Sequence, residues 1–258
     1  MREEELKSLA WLGDILDILL EQCPWDRAQT ARSLRYLTIE EVYELSETIL
    51  SGNYGEMRGE LGDLLMHILF YSKLAEKDHA FSLSDVADSI CRKLISRHPH
   101  ITLPNRDGTP IQAREGARPN WELVKMKEGR KSALEGVPKG LPPLVKSVRM
   151  QEKAAGMGFA FAKQEEAWGK VKEEYHELAE AMAHNGDGEE EFGDLLFALV
   201  GWGKFLGVNA DDALSQANRK FQRRFMLMEQ AAATEGKTLR DYAPQGLLAL
   251  WKEAKQQA

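Results

Sequence analysis

Glu173, Glu174 and Glu177, followed by Glu191 and Asp194, are the residues whose types and spacing point most directly to chemistry. They read Glu-Glu-x-x-Glu, a spacer, then Glu-x-x-Asp, and no Lys or Arg lies between Glu173 and Asp194. In a helix, residues three or four apart share a face. Each set therefore aims its carboxylates one way, beside Val171, Leu195 and Phe197, which belong in a core. Carboxylates crowded at a core edge repel one another unless a cation neutralises them. The chemistry implied is a divalent-metal site built from two helices. Carboxylate ligands without His or Cys suit Mg²⁺, with Mn²⁺ as a substitute, over zinc. Mg²⁺ also takes phosphate oxygens of substrates as ligands, so a phosphorylated substrate is expected.

The pattern occurs twice. Glu41-x-x-Glu44 matches Glu174-x-x-Glu177, and Glu60-Leu61-Gly62-Asp63 matches Glu191-Phe192-Gly193-Asp194. Lys93-x-x-x-Arg97 then matches Lys220-x-x-x-Arg224, and Trp121-x-x-x-Lys125 matches Trp251-x-x-x-Lys255. Four pairs in the same order point to a duplicated domain, and the unit is too long for a solenoid repeat. Gly136–Pro143, rich in Gly and Pro, marks the boundary, giving domains 1–135 and 136–258. Denser acid and a shorter spacer favour the second half as the active one.

The basic and aromatic pairs supply the other end of a ligand. Lys220 and Arg224 stand one turn apart, so they face the same way and can hold phosphate oxygens, Arg by two prongs and Lys as a point charge. Trp251 can stack a base or sugar, with Lys255 one turn on. Each feature also has a plainer reading. A Glu-rich face is commonly just solvated, Lys220 and Arg224 can be surface ion-pair partners, and Trp251 can be ordinary core. His176 has Tyr43 as its counterpart, so Glu173-x-x-His176 is not shared, and a surface histidine is expected there rather than a metal ligand. Cys23-Pro24-Trp25-Asp26 serves equally as a helix stop, and the His98-Pro99-His100 pair as a loop.

These residues need helices to position them. Apolar spacing predicts helices over 3–22, 33–50, 54–77, 82–97, 120–131, 144–155, 164–184, 189–206, 210–235 and 245–256, with residues 99–119 as loop. Leu61, Leu64, Leu65, Ile68, Leu69 and Leu74 are expected on the inner side of the third. No convincing period-2 strand is present, so the fold class is all-α, two helical bundles from an internal duplication. The 258 residues, 43% hydrophobic and 29% charged, suit a globular chain with a real core. A net charge of −7 argues against nucleic acid as a partner. The longest apolar runs are too short for a membrane span, and two cysteines suggest neither a disulfide framework nor a zinc site. A cytoplasmic setting is expected.

The two acidic sets, with Cys23-Pro24-Trp25-Asp26, Gln29-Thr30, the Glu-Leu-Gly-Asp-Leu-Leu block at Glu60, and Arg97-His98-Pro99-His100, resemble the MazG family of nucleoside triphosphate pyrophosphohydrolases. The resemblance covers nearly the whole chain as tandem MazG-like domains. It implies Mg²⁺-dependent hydrolysis of NTPs and dNTPs, with broad base tolerance, to nucleoside monophosphate and pyrophosphate, by a homodimer. It implies Glu174, Glu177, Glu191 and Asp194 as metal ligands and Glu173 as a supporting group or base. Lys170, Lys220, Arg224, Trp251 and Lys255 would touch the nucleotide. In the first half the matching ligands are Glu41, Glu44, Glu60 and Asp63, with Lys93, Arg97, Trp121 and Lys125. Two rivals stay open: a di-iron carboxylate bundle, which ordinarily needs Glu-x-x-His on two helices, and a non-catalytic helical module that binds a protein.

Overall fold

The computed structural model describes residues 2–114, 131–184 and 186–257. The chain forms two compact units, Met1–Pro119 and Asn120–Ala258. The helix expected over 120–131 and the predicted ligand contacts Trp121 and Lys125 lie outside the described residues.

In the first unit, α1 (Glu3–Gln22) ends at Cys23, and α2 (Pro24–Arg27) is a single turn begun by Pro24. Helices α3 (Ala31–Ser51) and α4 (Tyr54–Lys77) form an antiparallel hairpin. Thr30 Oγ1 caps α3 by accepting from Ser33 N at 3.1 Å, and the helix stops at Gly52, whose φ of +70° favours a residue without Cβ. Asn53 Oδ1 then accepts from Gly55 N and Glu56 N to start α4. The capping box expected at Ser82 and Asp85 opens α5 (Leu83–Arg97). Leu16, Leu34, Leu69 and Phe70 form the buried core, with Leu12, Leu20, Leu37, Met66, Tyr71 and Leu74 packed around it.

Two sequence expectations change here. Leu61 and Ile68 point outward, each 49% exposed. Helix α4 is apolar on two sides, and the stripe through Met66, Leu69, Phe70 and Leu74 is the one that meets α1 and α3. Residues 99–114 also hold a minimal antiparallel ladder, β1 (Leu103–Pro104) with β2 (Pro110–Ile111). Two residues per strand are too few to show a period of 2. The turn is held instead by Asp107 Oδ1, which accepts from Thr109 N and Oγ1 at 2.9 and 2.6 Å. An Arg106–Asp88 pair ties this hairpin to α5.

The second unit repeats the plan: α6 (Pro143–Gly156), α7 (Gln164–Ala183), α8 (Gly188–Phe205), α9 (Ala210–Thr234), a 3₁₀ turn at Leu239–Asp241 and α10 (Pro244–Gln257). Helices α7 and α8 form the hairpin equivalent to α3–α4, and Asp187 caps α8 as Asn53 caps α4. Met228, Leu250 and Ala254 join α9 to α10 in a core that takes in one side of Trp251. Lys153 Nζ donates to Ala133 O at 3.0 Å, which ties the turn at 131–136 to α6. Among the described residues the fold is helical apart from the small ladder, in agreement with the all-α expectation.

Candidate functional site

The α7–α8 hairpin collects the acidic residues. Lys170, Glu173, Glu174 and Glu177 follow the i, i+3, i+4, i+7 spacing of one face of α7. Glu191 and Asp194 lie one turn apart on α8. Two triads result, Glu173–Glu174–Glu177 and Glu174–Glu191–Asp194, and within each one oxygen from every carboxylate lies within 4.8 Å of the others. Glu174 belongs to both and is only 6% exposed, whereas Glu173, Glu177 and Asp194 are open to solvent. A buried carboxylate must be neutralised or hydrogen-bonded. Here Lys170 Nζ does this, 2.7 Å from Glu174 Oε1 and 2.6 Å from Glu173 Oε1. Those contacts raise the Lys170 pKa, the Glu173 hydrogen bond most. Loss of hydration holds the Glu177 carboxyl above its usual range, reinforced by a hydrogen bond with Glu174.

Lys170, which the resemblance sets against the nucleotide, lies within the acidic cluster. The Lys-x-x-Glu-Glu spacing is the signal that finds it. His176 is exposed, its ring 5.9 Å from Tyr175, and it is part of neither triad.

The α3–α4 hairpin brings Glu41, Glu60 and Asp63 together in the same way. Glu44 adjoins Glu60 but is not part of that triad. Among the described residues no ion pair reaches these four carboxylates. Lost hydration, then repulsion by Asp63, Glu44 and Glu40, raises Glu41. Lost hydration, then Glu44, raises Glu60. His67, one turn beyond Asp63, is buried, and burial lowers its pKa.

The basic and aromatic residues meet on α9 and α10. The Arg224 guanidinium lies 5.8 Å and the Lys255 ammonium 5.9 Å from the Trp251 ring centroid, and the Phe221 ring lies 5.5 Å from it. Trp251 is thus partly core, with two cations near its ring. Arg224 Nε is buried without a hydrogen-bond partner among the described residues. Lys220 stands exposed one turn before Arg224. No ion pair joins these cations to the acidic triads among the described residues. In the first unit Lys93 is exposed on α5 and Arg97 half-buried at its end.

All ligand atoms in the triads are carboxylate oxygens, the donor set of a hard divalent cation. A family model described as the MazG nucleotide pyrophosphohydrolase domain matches residues 29–102 and 163–226. Each match spans one acidic hairpin and runs on into a basic helix, α5 in the first case and α9 in the second. A nucleoside triphosphate pyrophosphohydrolase of Escherichia coli K12 is 34% identical over 245 residues, 91% of each chain. A nucleoside triphosphate pyrophosphohydrolase/pyrophosphatase MazG of Thermotoga maritima is 38% identical over 91% of this chain and 90% of its own. The uncharacterized protein YabN of Bacillus subtilis is 38% identical over 91% of this chain and 48% of its own.

Proposed function

The chain belongs to the MazG nucleotide pyrophosphohydrolase family, and from that premise we propose Mg²⁺-dependent hydrolysis of NTPs and dNTPs to nucleoside monophosphate and pyrophosphate. The observation that carries the reading is Glu174, buried at the α7–α8 interface and shared by two carboxylate triads. Solvating such a cluster needs positive charge, and Mg²⁺ fits its all-oxygen donors. Glu174, Glu177, Glu191 and Asp194 would hold the ion, which would neutralise phosphate charge and acidify the attacking water. Glu173, exposed beside this set, would accept a proton from that water.

The remaining roles fall to the basic helices. Lys220 and Arg224 hold triphosphate oxygens and stabilise charge gathering on departing pyrophosphate. The Arg224 guanidinium lies 5.8 Å from the Trp251 ring centroid, so phosphate and base would be held side by side. Trp251 offers an aromatic face with Lys255 beside it. Stacking accepts any base because every base has a π face, which supports broad base tolerance. We assign the working site to the second unit, and to Glu41, Glu44, Glu60 and Asp63 of the first a cation-binding role of lesser weight.

We also propose a homodimer. Both acidic hairpins leave apolar side chains uncovered at matching positions: Ile49 with Met182, Leu61 with Phe192, Ile68 with Leu199. A second copy of the chain would cover them. Both cysteines are free, as suits a reducing cytoplasm, and no described helix is long and apolar enough to cross a membrane. The test is a panel of NTPs and dNTPs with and without Mg²⁺, with products identified by chromatography. Monophosphate and pyrophosphate, formed only with the metal, are expected. Diphosphate and orthophosphate, or no metal-dependent product, would overturn the assignment.

A further inference from the structure

We propose that the solvent side of α9 carries a second nucleotide site, apart from the one to which Lys220, Arg224 and Trp251 belong. A shallow groove of about 300 Å³ runs along this helix, lined by Arg219, Gln222, Arg223, Met226, Leu227 and Gln230. Its polar lining is guanidinium and carboxamide, with no acid. Arg223 is exposed and Arg219 half-buried, and among the described residues neither enters an ion pair. Standing one turn apart, they can grip neighbouring phosphates in two-pronged contacts. Met226 and Leu227 follow as an apolar floor, and a Met thioether adapts to a flat ring. Gln230 closes the far end with a carboxamide that both donates and accepts. Arg219 to Gln230 spans about 16 Å of helix. Phosphate grip, apolar floor and amide come in the order of a nucleotide laid along α9.

The groove is separate from the residues assigned to substrate. Lys220 and Arg224 each stand about 100° round the helix from Arg219 and Arg223. Arg224 turns toward α10, 5.8 Å from the Trp251 ring centroid, whereas no α10 residue lines the groove. The groove is also peculiar to the second unit. With Lys93 set against Lys220, the helix caps Ser82 and Asn209 coincide. Arg92 then matches Arg219, but it lies 3.9 Å from Asp88, whose counterpart is Ser215. Ser96 stands where Arg223 stands, and α5 ends at Arg97, before any counterpart of Met226, Leu227 or Gln230. The first unit thus neutralises or omits each cation that the second leaves open. A net charge of −7 favours a small ligand over a nucleic-acid strand, which needs a broad basic surface. The volume sits at the lower end of the roughly 300–1,000 Å³ of small-molecule sites, which suits a single nucleotide.

The experiment is equilibrium dialysis of the full chain, with Mg²⁺, against an ATP analogue whose α–β bridge is methylene and so is not cleaved there. The unaltered chain should bind two analogues. Arg219→Gln with Arg223→Gln should bind one fewer, and so should Met226→Glu, which sets a carboxylate on the floor of the groove. Met226 is half-exposed, so that variant decides the matter should the arginine pair prove necessary for folding. Arg224→Gln should leave the groove's nucleotide bound. A binding number that neither groove variant lowers overturns the proposal. So does inorganic pyrophosphate filling the groove where the analogue does not, or a short DNA strand binding through Arg219 and Arg223 more tightly than the analogue. The two sites separate cleanly: one analogue per chain, lost in the groove variants and kept in Arg224→Gln, would sustain this site and sink the assignment of substrate to Arg224.

Discussion

The α3–α4 and α7–α8 hairpins carry the same carboxylates at matching positions, yet among the described residues only the second places a lysine among them. In the first, Leu37 packs toward the core at the corresponding place. Glu41 and Glu60 have raised pKa values there, through lost hydration first and then through the neighbouring carboxylates. In the second, Lys170 bridges Glu173 and the buried Glu174. One substitution in a duplicated unit thus separates a cluster that must take protons or a metal from one that carries part of its own neutralisation. The second unit also sets Trp251 under Arg224 and Lys255.

The largest expected effect breaks the symmetry of the hairpins directly. Asp194→Asn should cut turnover by at least roughly 100-fold, the scale of losing a ligand to a catalytic metal. Asp63→Asn should leave most of it. Equal losses would make the units joint partners, and the reverse order would move the working site to the first. Next in size are the arginines proposed to hold phosphate. Arg224→Lys gives up the two-pronged contact and should raise KM for a triphosphate about tenfold, while Arg97→Lys should change it little; steady-state kinetics on one NTP decide this.

The caps test where the units are alike. Asn53 and Asp187 each accept two backbone N–H groups at the start of the second hairpin helix. Alanine at either should cost about 1 kcal/mol by denaturant melts. Unequal costs would show that the hairpins differ beyond their charges. The smallest effect concerns pH. Glu41 and Glu60 have folded-state pKa values raised above the ordinary 4.5. Protonation therefore favours the folded state, and the penalty of ionising them grows as pH rises through the raised values. Glu41→Gln with Glu60→Gln should raise the melting midpoint by about 2 °C at pH 7.5. That gain should vanish near pH 4.5. A gain that grew on acidification would refute the sign.

Much of this was legible in the residues. The boundaries of α1 and α4, the Ser82–Asp85 capping box and the turn at Gly52 follow from short-range spacing and cap chemistry, which a helix imposes on its own neighbours. The exposure of His176 followed too, since it lies two residues from Glu174 and so on another side of α7. What the spacing left undetermined is which of two apolar stripes on α4 meets the core. Leu61 and Ile68 lost that competition to Met66, Leu69 and Phe70, because α1 and α3 approach from the other side.

By itself, then, the sequence determined the long helices among the described residues, their order, the duplication and the side of each helix on which its acids stand, all consequences of a 3.6-residue turn. Only the tertiary structure decided that Glu174 is shared by two triads and that Lys170 spends its charge on them. It alone set Trp251 half in the core and half beneath Arg224 and Lys255. Each of these depends on the approach of a second helix, or on a choice among rotamers of one long side chain. Neither distance nor rotamer is encoded in the spacing of residues along a single helix.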